Sequence, residues 1–390
     1  MKFLLIVTTI FCVQDVLGKR DAFKPIHSWE KDSPRLKNSI PTTISHNPKQ
    51  KELFMSIPRT SESILDTLSE IKGHDRDQKS STISAFSGSV KTPLISVQRA
   101  VVDECQRLWV IDSGRLEDQD VRGEYKNESA FIVAFSLKKS GYPEVIRHKI
   151  PTTLVREPQY FGQLAVDVIN PGRCCRHTYI YIPNYSDATL YVYDNKRKKM
   201  WKFNDDSFQH EKLTYPGNDQ GYKYGIHTVA VGERDSENHR TAYYIAGSGT
   251  KLWSVNTKIL RNKGSAFNPE FLGDHEIKPD ALAMAYDSKT KVLFFGASNT
   301  KQIICWNTEK QFNEQNLDVV FQSDDTMSVR DISIDHDGIV WILAEVLQSN
   351  SVLFLWKKSK PLIKIWRADA ALAIDGTRCS KDVTGQFGFS

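Results

Sequence analysis

Glu345 is the residue of this sequence whose position most clearly suggests chemistry. It interrupts an otherwise apolar segment, Trp341–Leu347, which reads WILAEVL. A carboxylate in a recessed site can pair with an ammonium group, because a charge-assisted hydrogen bond is stronger than a neutral one. Arg330 offers the alternative, an internal salt bridge. The two interpretations are compatible if a ligand competes with Arg330 for Glu345.

The remaining chemical signals are weaker. His227, in the segment GIHTV, could titrate near physiological pH, although such a histidine is more often half-buried with its hydrogen bonds satisfied. The sequence contains no GxSxG, HExxH, P-loop or dinucleotide-binding motif. The segment DHDG at 335–338 lacks the alternating ligands and terminal Glu of an EF-hand. We therefore expect ligand binding without catalysis and without a metal or other cofactor.

The elements that must position these residues are strands. From about Leu53 onward a short apolar or aromatic strand, a polar turn and a second strand recur. The clearest examples of the leading strand of this recurring pair lie at 53–57, 108–112, 179–182, 242–246, 292–296 and 339–343. Such a repeat is typical of propeller blades, which stack because one four-stranded sheet cannot cover both of its own faces. We predict an all-β, six-bladed propeller around a central channel, as a single domain over 19–390. An irregular pair of β-sandwiches is the alternative.

The innermost strands of a propeller and their leading loops line the channel, where a ligand meets polar groups against apolar walls. By register, the candidate residues at the channel mouth are Phe161, His227, Asp280, Arg330, Glu345 and Leu347. Asp331 and Asp335, on the last innermost strand, are expected to accept hydrogen bonds from turn backbone.

The first residues predict secretion. Lys2 is followed by an apolar run from Phe3 to Val13, and Gly18 ends the small-residue region. This layout is typical of a cleavable signal over 1–18, and the run is shorter than the about 20 residues that span a bilayer. We expect an extracellular protein that is not bound to a membrane.

Cysteine usage agrees with an oxidising compartment. Once Cys12 leaves with the signal, five cysteines remain: Cys105, Cys174, Cys175, Cys305 and Cys379. We expect Cys105 to pair with Cys174 or Cys175, and Cys305 with Cys379, which leaves one buried thiol. A zinc site is the alternative, but no ligand spacing supports it.

Surface features give further expectations. Asn127 and Asn184 begin the sequons NES and NYS, which predict two exposed glycosylation sites. The net charge is +5 and the densest basic run is 196–199. The basic run is typical of a solvated turn rather than of a nucleic-acid site. The small positive net charge is compatible with weak attraction to anionic glycans. We expect a monomer.

The chain resembles the yellow/major royal jelly protein family from about Trp29 to Gly385. The most specific segments are DECQRLWVIDSG at 103–114 and YGIH at 224–227, supported by FMSIPR at 54–59 and DISIDHDGIVW at 331–341. Segments 240–246 and 252–257 most resemble the yellow-related salivary proteins of sand flies.

This resemblance implies a salivary six-bladed propeller that captures biogenic amines, such as serotonin, histamine and catecholamines, in its channel. Stoichiometric capture would counter vasoconstriction, platelet activation and inflammation during blood feeding. The family's Thr, Asn and Phe at the amine site fall near Arg330, Glu345 and Leu347, so this chain departs at all three. We predict weaker affinity or altered selectivity. The alternatives are a secreted interaction or glycan-binding protein and a yellow-type enzyme.

Overall fold

The computed structural model describes residues 22–31, 33–37, 39–60, 63–72, 82–119, 125–127, 129–154, 160–209, 225–247, 249–274, 281–297, 300–347 and 362–381. The predicted signal at 1–18 and Asp280 lie outside these ranges. The side chains of Asn127 and Leu347 are likewise outside the description. Among the described residues, no helix has the length and apolarity needed to cross a membrane.

The described strands form six blades, which confirms the predicted propeller. Blade 1 contains β2 (Thr43–Asn47), β3 (Glu52–Ser56), β4 (Leu68–Lys72) and β5 (Ile83–Ala85). Blade 2 contains β6 (Val97–Val102), β7 (Arg107–Asp112), β10 (Phe131–Ser136) and β11 (Glu144–Lys149), with a side hairpin of β8 (Arg115–Gln119) and β9 (Tyr125–Asn127). Blade 3 contains β12 (Ala165–Asn170), β13 (Cys174–Asn184), β14 (Thr189–Asp194) and β15 (Lys199–Asn204).

The remaining blades follow the same antiparallel order. Blade 4 contains β16 (Ile226–Arg234), β17 (Arg240–Ala246), β18 (Lys251–Asn256) and β19 (Glu270–Asp274). Blade 5 contains β20 (Ala281–Asp287), β21 (Val292–Ala297), β22 (Thr300–Asn307) and the first half of β23 (Leu317–Ile334). Blade 6 contains the second half of β23, β24 (Ile339–Leu347), β25 (Leu362–Asp369) and β1 (Lys24–Glu30). Two short helices are present in the described ranges: α1 (Thr257–Leu260) lies between β18 and β19 of blade 4, and α2 (Ala370–Ile374) follows β25 of blade 6. Asp206–Phe208 and Glu314–Asn316 form 3-10 turns.

The ring is closed by the amino-terminal strand. β1 adds to the outer edge of blade 6, antiparallel to β25, with His27 opposite Ile365 and Trp29 opposite Ile363. The last blade is therefore built from the first described strand and the last three. Because β1 covers the exposed edge of β25, that edge pairs within the molecule.

Six apolar clusters fill the spaces between neighbouring blades. For example, Trp109 and Ile132 of blade 2 pack with Ile180 and Tyr191 of blade 3. Each blade therefore buries both faces against its neighbours, which is why the alternating apolar pattern recurs along the whole chain.

An aspartate–tryptophan contact recurs where two innermost strands end. Asp103 accepts a hydrogen bond from Trp109 Nε1 at 2.7 Å, and Asp335 accepts one from Trp341 Nε1 at 3.0 Å. Asp335 also accepts from the turn amides of Asp337 and Ile339, as predicted. The sequence segments DECQRLW and DHDGIVW thus encode the same junction between the first and second strands of a blade.

Two disulfides form with the predicted partners. Cys105–Cys175 joins the first turn of blade 2 to β13, and Cys305–Cys379 ties the carboxyl-terminal segment to β22. Cys174 is the free cysteine of the described chain, and it is half-buried. The expectation of a buried thiol was wrong, because neighbouring side chains on a strand point in opposite directions and only Cys175 faces Cys105.

Candidate functional site at the channel

The first strands of the six blades, β2, β6, β12, β16, β20 and the second half of β23, surround the axis. We call the end where these strands begin the upper mouth, and the space around their later residues the lower cavity. Between them lie Arg99 and Gln163, which we call the plug. Both plug side chains are more than nine-tenths buried.

The plug connects all six blades by hydrogen bonds. Arg99 of blade 2 donates from Nε to Phe161 O at 3.1 Å and from Nη1 to Thr42 O at 2.8 Å. Gln163, which precedes β12, donates from Nε2 to Ile332 O at 2.8 Å. Two further groups donate to Gln163 Oε1: Thr228 Oγ1 at 2.7 Å and Met284 N at 2.8 Å. These two side chains were not identified from the sequence, since neither belongs to a catalytic or ligand motif.

Asp331 lies beside the plug. Its Oδ2 accepts a hydrogen bond from Ile44 N, on the innermost strand of blade 1, at 2.8 Å. The prediction that it binds turn backbone was wrong, because Asp331 sits in mid-strand where the nearest free donor belongs to the adjacent blade. Burial raises the pKa of Asp331 to about 7, although the Ile44 amide, the charge of Arg99 and, more weakly, the Ile332 amide favour its ionised form.

At the upper mouth, Glu345 holds two cations. Arg330 Nη2 lies 3.0 Å from Glu345 Oε2, so the salt bridge considered from the sequence is present. Lys31 Nζ lies 2.6 Å from Oε1. Burial opposes ionisation of Glu345, but the hydrogen bonds from Lys31 and Arg330 hold its pKa below the usual value. Glu345 is 12% exposed, Lys31 26% and Arg330 27%, so the carboxylate is recessed while both partners reach solvent.

A row of aromatic rings forms another part of the mouth. The rings of His227 and Tyr185 lie 5.0 Å apart, and Tyr185 stacks on Tyr160 at 5.7 Å. The Arg115 guanidinium lies 5.4 Å from the centre of the Tyr160 ring. Of these four residues only His227 was predicted. Tyr185 follows β13 directly. Because the second strand of a blade ends at the upper mouth, its position in the sequence could have identified Tyr185 as a residue of the mouth.

The pKa of Arg99, in the plug, is affected by residues from both parts of the mouth. Burial lowers the pKa of Arg99, Asp331 and Tyr185 oppose this shift, and Arg330 adds to it. Tyr185 of the aromatic row and Arg330 of the Glu345 pair are therefore both near enough to Arg99 to act on its charge.

The other predicted site residues have different places. Phe161 is buried in the apolar cluster between blades 2 and 3, so its ring is a core group, while its carbonyl binds Arg99. Leu347 ends β24, opposite Thr326, two positions beyond Glu345. Of the predicted site residues, the structure thus joins Arg330 and Glu345 by direct contact, and it places His227 in the aromatic row.

Asn184, predicted as an exposed glycosylation site, is completely buried. Its Oδ1 accepts hydrogen bonds from Ser186 N at 3.1 Å and Ser186 Oγ at 2.6 Å. The expectation was wrong because β13 continues through Asn184, where it pairs with Thr189 of β14. A side chain in that position has no room for a glycan in the folded protein.

The lower cavity has a volume of about 150 Å³. All six blades contribute to its wall, which includes Val101, Val166, Val229, Val231, Tyr286, Asp331, Ile332 and Ser333. Within the described ranges, no group of three or more His, Cys, Asp or Glu residues could hold a metal ion.

Comparison with known proteins agrees with the motifs found in the sequence. The family model of the major royal jelly proteins matches residues 95–379. Yellow-related salivary protein ASP4 of Phlebotomus orientalis is 39% identical over 389 residues, which cover 97% of this chain and 98% of that protein. Yellow-related salivary protein LJM11 of Lutzomyia longipalpis is 39% identical over 354 residues, 88% of each chain. A luciferin-regenerating enzyme of known structure aligns with a TM-score of 0.50 and 12% identity, over 88% of this chain and 95% of that one, which shows the fold alone. The chain therefore belongs to the major royal jelly protein family, where its relatives include the yellow-related salivary proteins of sand flies.

Proposed function

We propose that this salivary yellow-family protein binds a small biogenic amine at the upper mouth, without a catalytic step and without a cofactor. The ligand class is that of serotonin, histamine and the catecholamines. The observation that carries the proposal is the Lys31–Glu345 contact, in which a primary ammonium of the chain itself lies 2.6 Å from a recessed carboxylate. A ligand ammonium that replaced Lys31 would form the same charge-assisted hydrogen bond.

The aromatic row supports the same proposal. An indole or catechol ring packs against aromatic side chains, and the faces of Tyr rings attract cations. Tyr185, which lies 5.0 Å from the His227 ring, and Arg330 both act on the charge of Arg99.

The two cations that already contact Glu345 determine the amine affinity that we expect. A ligand must displace Lys31 and must tolerate Arg330, which lies 3.0 Å from the other carboxylate oxygen. We therefore expect micromolar rather than nanomolar affinity, because competing charges weaken an ion pair.

Calorimetric titration of serotonin and noradrenaline into the full secreted protein tests the proposal. Saturable heat in the micromolar range is expected, and Glu345→Gln should abolish it. Glu309→Gln, at an exposed ion pair with Lys291, is the matched control and should bind like the natural protein. A nanomolar dissociation constant for serotonin contradicts the weakened site, and no heat at high micromolar concentration contradicts amine capture itself.

A second candidate is binding of an anionic glycan at the lower side of blade 3. Burial and the charges of Arg107 and Arg176 lower the pKa of Lys198, while Asp194 opposes this shift and Asp103 pairs with Arg107, so three cations face two carboxylates there. Salt-sensitive retention on a sulfated-glycan column, reduced by Lys198→Gln, would favour this function. Retention that Lys198→Gln leaves unchanged would count against it.

A further inference from the structure

The lower cavity contains two buried polar atoms that have no hydrogen-bond partner in the described part of the chain, Asp331 Oδ1 and Ser333 Oγ. Asp331 is 3% exposed, and its other oxygen, Oδ2, is already bound by Ile44 N. Ser333 lies two positions further along β23, on the same face of the strand. A buried acceptor without a donor is unfavourable, so a molecule that supplies a donor would be bound there.

The rest of the cavity wall is largely apolar. Four valines, Val101, Val166, Val229 and Val231, lie around it together with Met284, Tyr286 and Ile332. Its volume is about 150 Å³. Apolar cavities of about this size can hold a single benzene ring. The cavity therefore combines room for one compact apolar body with a polar acceptor at its inner end.

Charge at the inner end selects a neutral molecule. Arg99 also lines the cavity, and its guanidinium favours the ionised form of Asp331. The pair is already neutral as a unit, so an added ammonium would be repelled by Arg99 while it is attracted to Asp331. A neutral hydroxyl donor meets no such repulsion.

We propose that the lower cavity is a second ligand site, which binds a small neutral molecule with a benzene-sized body and a hydroxyl that donates a hydrogen bond to Asp331 Oδ1. The plug separates this site from the upper mouth. It therefore takes its ligand independently of the amine site, and either site can fail its test without the other.

Phenol is the probe, and Met284 is the reporter because it is one of the residues that line the cavity and its amide binds the plug. The full protein, labelled with [13C]methyl-methionine, is titrated by NMR at pH 8, above the pKa of Asp331 of about 7. We expect phenol to shift the Met284 signal saturably and to bind more tightly than benzene. Benzylamine should bind more weakly than phenol. No saturable shift, equal affinity for phenol and benzene, or tighter binding of benzylamine would each overturn the proposal.

Asp331→Asn tests the hydrogen bond directly. The asparagine oxygen can still accept from Ile44 N, while its NH2 group now faces the cavity and donates. Phenol affinity should fall about tenfold, as expected for the loss of a hydrogen bond to a charged acceptor. Anisole, which can only accept, should gain affinity.

Asp337→Asn is the matched control, because Asp337 is exposed in the turn after β23. It should leave phenol binding unchanged. Unaltered phenol affinity in Asp331→Asn, or an equal loss in both variants, would contradict the site. If Asp331→Asn does not fold, the comparison of phenol with benzene on the natural protein still decides the question.

Discussion

Glu345 shows how one residue can set the selectivity of the upper mouth. Its carboxylate is shared between Arg330, on the neighbouring strand β23, and Lys31, which follows the closing strand β1. Arg330 is 27% exposed and Lys31 26%, so both cations reach solvent and either is open to competition. Lys31 is the closer analogue of a ligand, since both carry a primary ammonium.

Lys31→Met should therefore increase amine affinity. The substitution removes the competing ammonium and keeps a similar apolar stem. We expect the association constant for serotonin to increase about twofold to tenfold. This factor corresponds to the free energy that a partly exposed ion pair contributes. Calorimetry measures it, with Lys24→Met, at the start of the preceding strand β1, as control. Unchanged or weaker affinity would show that Lys31 does not compete for the site.

Asp331 should make the stability of the propeller fall as pH rises from about 4 to 7. Its folded pKa of about 7 lies above the ordinary 3.8, so the folded state binds more protons than the unfolded state in that window. Stability consequently decreases with increasing pH there. Asp331→Asn removes this titration, so the difference in melting temperature between variant and natural protein should become more favourable to the variant from pH 5 to pH 8. A difference that is independent of pH would contradict the assignment.

At the scale of elements, β1 is the strand that completes the ring, and it carries a buried histidine. His27 is 1% exposed and its ring stacks on Trp29 at 5.1 Å. Burial lowers the pKa of His27 to about 4, and the charge of Arg367 on β25 contributes. The closing contact is therefore formed by a neutral imidazole.

Acid should weaken this closure. An unfolded histidine takes up a proton near pH 6.5, whereas His27 in the closed ring does so only near 4. The stability contribution is thus complete above about pH 6.5 and is lost as pH falls to 4, by at most about 3 kcal/mol. Urea unfolding at pH 7 and 4.5 measures it. His27→Gln should reduce the pH dependence, while His336→Gln, at an exposed position, should not. Equal pH dependence in His27→Gln and the natural protein would contradict the mechanism.

At the scale of the whole molecule, two disulfides fasten the ring at different places. Cys105–Cys175 spans 70 residues and links blades 2 and 3, while Cys305–Cys379 spans 74 residues and holds the carboxyl-terminal segment against blade 5. Together with β1, they fasten the first and last described segments of the chain and one junction between blades.

The double variant Cys305→Ser/Cys379→Ser should lose about 4 kcal/mol of unfolding free energy, as expected in the chain-entropy model for a loop of this length. Chemical denaturation at equilibrium measures the change. Cys174→Ser serves as control, because that thiol is free and half-buried, and it should leave the midpoint nearly unchanged. A double variant as stable as the natural protein would show that β1 alone maintains the closed ring.

The local part of this architecture could be predicted from the sequence. A repeated pair of apolar strands specifies a blade, because each blade must cover the faces of its neighbours. Six such pairs were found in the sequence, and the structure has six blades. The segments DECQRLW and DHDGIVW carry a contact within a single blade, and they also indicated the family. Cysteine count and spacing were enough to expect the pairing of Cys105 with one of two neighbours and of Cys305 with Cys379.

The channel was decided by the tertiary structure. Lys31 and Glu345 are 314 positions apart and meet only because the first strand closes the last blade. Arg99 and Gln163 form the plug because six innermost strands converge on one axis, which no local pattern expresses. The same convergence leaves Asp331 Oδ1 without a partner from the described residues in the lower cavity. Strand patterns are set by neighbouring residues, whereas the site depends on how a ring brings distant side chains together.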